Sequence, residues 1–192
     1  MRDEELARLV RATIEPMKHP VYGDWYRAAA YLSDGTYLPC VVFQGKRPRV
    51  DLALRRFDEL RSNPAQLRKV AASFVAGGPC VAYYDLMSVE ASPFAWPTEI
   101  LKMIHGETTV GWTAFVVEMR DGTMHSFGTS FSFEFFSLPQ GYAHQDIVKI
   151  HSGMVYSESH GLQRFSMEWM KNEKPIRERP FFNCYLEGLD EK

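Results

Sequence analysis

Histidine beside a carboxylate on a loop is the residue pattern here that most readily carries acid–base chemistry, and the chain offers it at His105-Gly106-Glu107-Thr108-Thr109. Both side chains titrate, so one could take a proton while the other orients it. Glu118 and His125 form a second such pair if the strands bearing them face each other. A carboxylate holding one imidazole nitrogen would fix the tautomer and leave the other nitrogen as a base.

Weaker constellations follow. The row Gly128, Ser130, Ser132, Glu134 sets small polar side chains on one face of a strand, a floor over which a ligand could lie. Arg47, Arg49 and Arg56 fall in a basic stretch suited to phosphate or nucleic acid. From Gly45 to Lys69 eight basic residues meet three acidic ones. Asp51 and Glu59, each four residues from Arg55, offset part of that excess. His144, Asp146, His151 and His160 match no metal-ligand spacing, so no metal site is predicted. Walker, dinucleotide-binding, nucleophile-elbow and zinc-protease motifs are all missing, and no cofactor is implied.

These groups must be positioned by hairpins. Asp34-Gly35 and Asp121-Gly122 each lie between apolar, aromatic-rich segments, which predicts one hairpin over 25–43 and another over 110–136. Read as two-residue turns, they oppose Tyr31 to Leu38, Ala29 to Cys40 and Tyr26 to Phe43 in the first hairpin. In the second they oppose Trp112 to Phe131, Val116 to Phe127 and Glu118 to His125, with Phe115 over Gly128. Trp112, Val116, Phe127, Phe131 and Phe133 are then core. Pro39 cannot donate to a neighbour, so its strand should be a sheet edge or bulged. Aligning Trp25 with Trp112 superposes Asp-Gly-Thr on Asp-Gly-Thr, four identities in twelve positions, as an internal duplication would.

Helical spacing predicts a helix over 3–15, a second with Val50, Leu54, Phe57 and Leu60 on its inner face, a third after Asn63-Pro64, and a short one over 97–104. Strands are expected over 80–87, 147–150, 154–157, 165–169 and 181–186. The fold class is therefore α+β, an antiparallel sheet of aromatic-rich hairpins covered by three to four helices. No linker breaks the 192 residues, which read as one domain, 1–192.

Composition is that of an ordinary globular chain, 45% hydrophobic and 24% charged with net charge −2. That charge speaks against a nucleic-acid or membrane partner for the molecule as a whole. The acidic start, Met1-Arg2-Asp3-Glu4-Glu5, is unlike a secretory signal, and three widely spaced cysteines suit a reducing compartment, so a cytoplasmic protein with reduced, buried thiols is expected. The functional expectation is a binding or interaction domain for a small molecule or protein. The alternative is a small hydrolase or transferase using His105 and Glu107, with nucleic-acid or phosphate binding through residues 46–69 as a second alternative.

Overall fold

The computed structural model describes residues 2–19, 23–59, 79–130 and 133–189. The chain gathers into two compact units, Met1–Pro93 with Phe181–Lys192, and Phe94–Pro180. Both boundaries fall at a Pro-Phe step rather than in a polar linker, which is why composition gives no sign of them.

In the first unit, α1 (Asp3–Thr13) places Leu6, Ala7 and Val10 on one buried stripe, as its helical spacing requires. Strands β1 (Pro16–His19), β2 (Gly23–Leu32) and β3 (Tyr37–Gly45) follow, then α2 (Lys46–Glu59) and β4 (Leu86–Ala91), and β11 (Phe182–Leu186) returns at the end of the chain. β1 and β4 both pair with β2 and line the two halves of one of its edges. β3 pairs with β2 on its other side, and β11 lies beyond β3, running parallel to it. Tyr26, Ala28, Ala30, Val41 and Phe43 form the core with α1.

In the second unit, β5 (Thr113–Met119) pairs with β6 (Met124–Thr129) and β7 (Ile147–Ser152), while two-residue β10 (Ile176–Arg177) lies parallel to β6. Two short helices, α3 (Thr98–Leu101) and α4 (Trp169–Asn172), and a separate hairpin, β8 (Met154–Ser157) with β9 (Gly161–Arg164), complete it. One sheet face holds Phe115, Val117, Met119 and Phe127 against Trp96 and Phe136. The opposite face holds Trp112 and Ala114 against Val155 and Trp169.

The α+β class stands, with sheets mixed rather than purely antiparallel, because β10 and β11 join in parallel at the end of the chain. Both Asp-Gly turns are three-residue loops. Leu32 N–H donates to Thr36 O and Met119 N–H to Thr123 O, with Gly35 at φ +86 and Gly122 at φ +85. The third loop residue is thus a left-handed glycine, a turn with its own one-residue bulge, and the register moves by one from the two-residue expectation.

In the first hairpin a second irregularity restores the expected register. Ala30 faces Leu38 but Ala28 faces Val41, so Pro39 and Cys40 together oppose Ala29, and Tyr26 meets Phe43 as predicted. The bulge sits where Pro39 called for one. The second hairpin has no such correction. Phe115 faces Phe127, Ala114 faces Gly128, and Val117, not Glu118, faces His125. A slip of one residue sends each side chain of one arm to a new neighbour. Phe131 and Ser132 lie outside the described residues.

Several further expectations change. On α2 the buried residues are Leu52 and Ala53, while Val50 and Leu54 point outward; the apolar stripe is rotated from the one the 50-54-57-60 spacing suggested. The 80–87 segment forms a 3₁₀ turn at Tyr83–Asp85 and becomes a strand only from Leu86. Residues 165–169 do not form a strand, and Trp169 instead opens α4. Cys40 and Cys184 are buried thiols, whereas Cys80 is exposed. Burial pushes the Cys184 thiol up to about 12. The helix expected after Asn63-Pro64 lies outside the described residues. Among the described residues no helix is long and apolar enough to cross a membrane.

Candidate functional site

The sequence-selected residues are dispersed. His105 and Glu107 follow α3 on an exposed turn, and it is the His105 backbone that is anchored, its N–H donating to Ser152 Oγ at 2.9 Å. Ser130 Oγ accepts from Arg177 at 3.4 Å, Ser132 lies outside the described residues, and Glu134 is buried. Arg56 is ion-paired with Glu59 at 2.9 Å, and the side chains of Arg47 and Arg49 lie outside the described set.

Glu118 does hold a histidine, but a different one. The register places β7 on the far side of β5, and His151 Nε2 lies 2.8 Å from Glu118 Oε2, partly buried. His125 instead packs its ring edge-on to Tyr142 at 5.5 Å. Burial lowers its pKa, offset in part by Asp121, and Nε2 has no hydrogen-bond partner among the described residues. Among the described residues no three His, Cys, Asp or Glu side chains converge as a metal site would need.

What the second unit does assemble is a polar cleft around the β8–β9 hairpin. Ser157 faces Gly161 across that hairpin, so its loop is Glu158-Ser159-His160, with Gly161 left-handed at φ +67. Ser126 fixes the hairpin over β6 by donating Oγ–H to Tyr156 O at 3.1 Å and accepting from Tyr156 N–H at 2.8 Å. One hydroxyl thereby does for β8 what a strand neighbour would. Trp169 closes the layer beneath, packed with Trp112, Ala114 and Val155.

Two lobes open there, about 480 and 540 Å³, both lined by Ser157, Ser159, Trp169 and Glu173. The first adds His160, Gln163 and Glu168; the second adds His125, Ser126 and Lys174. Within it Ser159 Oγ is 2.7 Å from His160 Nδ1, and Ser157 Oγ is 3.5 Å from each of them. Ser157 is only 5% exposed, so its hydroxyl belongs to the floor, while Ser159 and His160 face solvent. The Trp169 indole N–H has no partner among the described residues.

No family model, curated protein or solved structure matches the chain. The site therefore rests on its own geometry.

Hydroxyls and an imidazole can donate and accept, Gln163 does both, and Glu168 and Glu173 accept, so the cleft suits a small hydrogen-bonding molecule. Its carboxylates, Glu158, Glu168 and Glu173, outnumber Lys174 and disfavour an anion. Of the residues singled out from sequence, His125 and His160 reach this cleft, the latter weighed there only as a metal ligand. The signal that could have found the rest is Ser157-Glu158-Ser159-His160-Gly161, a dense polar run ended by glycine between two short strands.

Proposed function

We propose that this chain is a small-ligand-binding protein whose site is the cleft of the Phe94–Pro180 unit, and that the ligand is a small polar molecule, neutral or positively charged. The observation that carries this reading is the convergence of Ser157, Ser159, His160 and Glu173 in one concavity above Trp169. An exposed polar loop would scatter such groups. Here Ser126 and the Trp112–Val155–Trp169 packing hold them over a fixed surface. Cytoplasmic location belongs to the same reading, supported by three cysteines far apart in sequence and free of any C-x-x-C spacing.

The test is a fragment screen followed by amide chemical shifts, using small polyols, amines and dicarboxylates on the full chain. Polyols or amines should perturb residues 157–163 and 168–174, and Glu173→Ala should weaken the best binder at least roughly tenfold, the loss of one charge-assisted hydrogen bond. Dicarboxylates should leave those amides unmoved. Perturbations confined to the first unit, or none from any compound, would remove the proposal.

A further inference from the structure

We infer that Ser159 is a nucleophile with His160 as its general base, so that the cleft hydrolyses a small uncharged or cationic carboxylic ester. The inference rests on the cleft being a ligand site and deepens it.

A serine hydroxyl is unreactive until a base takes its proton, and the base must sit within hydrogen-bond reach of Oγ. Ser159 Oγ and His160 Nδ1 are 2.7 Å apart, inside that reach. When the imidazole carries its proton on Nε2, Nδ1 is the acceptor, and the Ser159 hydroxyl points its hydrogen at the ring. Adjacency in sequence would ordinarily leave such a pair swinging together in solvent. Here the three-residue loop between Ser157 and Gly161 narrows the backbone choices, and the buried Ser157 hydroxyl stands 3.5 Å from both reacting atoms. Ser157 is a positioning residue, able to donate to Ser159 Oγ and hold its rotamer while Nδ1 accepts from Ser159.

The step balances without any further reagent. Ser159 Oγ bonds to the ester carbonyl carbon while its proton moves to His160 Nδ1. The carbon–oxygen bond to the alcohol breaks, and the alcohol leaves with that proton. Water then attacks the acyl-serine, again giving a proton to Nδ1, and the acid is released as Oγ recovers its hydrogen. Glu168 and Glu173 line the same lobe, which favours a neutral or cationic acyl or alcohol group over an anionic one.

A fluorophosphonate probe tests this on the native full chain, with intact mass and peptide mapping as readout. One probe per chain should appear on the peptide bearing Ser159 and be absent from Ser159→Ala. His160→Asn, which keeps a polar atom near Nδ1 but no base, should slow labelling roughly 100-fold or more, the range for loss of a general base. Unchanged far-UV circular dichroism shows that each variant is folded.

Labelling elsewhere, equal labelling in urea, or a rate indifferent to His160→Asn would overturn the inference. If polyols or amines perturb the cleft while Ser159 stays unmodified, Ser159 is a binding group only. The catalytic inference then falls and the binding site remains.

Discussion

Gly128 of β6 lies under the indole of Trp112, and a methyl group on it would run into the ring. Ala114 and Gly128 face each other across the hairpin, so small residues on both arms leave the volume that Trp112 fills. Gly128→Ala should destabilise the protein by about 1–3 kcal/mol, the usual cost of overpacking. In a Trp112→Leu background the same change should cost measurably less, because the two sites share one volume. Urea midpoints of the four proteins decide it; equal costs in both backgrounds would mean that Trp112 does not cover Gly128.

Placement of the hairpins was legible in the sequence, and their register was not. Asp-Gly between apolar runs marks a turn whichever loop length it takes, and the two lengths differ only in where the left-handed glycine stands. The residue after it carried the information. Thr36 and Thr123 N–H groups each donate to the turn Asp Oδ1, at 2.8 and 3.0 Å, closing the three-residue form in both hairpins. Pro39 was read correctly because a missing donor is a local property of one residue. The cleft was hidden for the opposite reason. Ser126 and the Ser157–His160 loop are some thirty residues apart in the chain, and Trp169 is ten further on. Only the packing of a separate hairpin on the sheet brings them together, and no spacing rule encodes that.

Asp121 is held as a carboxylate by its own turn. Tyr142 donates to Oδ2 at 2.7 Å, and the Thr123 amide and hydroxyl both donate to Oδ1. The Tyr142 hydroxyl first, then the Thr123 amide, lower its pKa from the usual aspartate range to about 2. A folded-state pKa below the unfolded one means that the unfolded chain binds protons first as pH falls. Its stabilisation is therefore complete above pH 4 and is lost on the way down to about 2. Asp121→Asn should flatten the fall in urea midpoint between pH 4 and 2. Asp34, lowered by the Thr36 amide and hydroxyl first and then by its own backbone, should show a smaller effect when changed to Asn. An equal or larger effect at Asp34 would contradict the role given to Tyr142.

Glu118 and His151 supply the sharpest check on register. Their 2.8 Å contact joins β5 to β7, at side-chain exposures of 29% and 14%. A partly shielded hydrogen-bonded pair of this kind couples by roughly 0.5–1 kcal/mol, an ordinary value for a side-chain hydrogen bond. Glu118→Gln and His151→Gln, alone and together, should show that coupling in a double-mutant cycle read from urea unfolding. The same cycle with His125→Gln should give a value within error of zero, about 0.3 kcal/mol, because Val117 rather than Glu118 opposes His125. Coupling to His125 with none to His151 would restore the two-residue turn and move every side chain of β6 to a new neighbour.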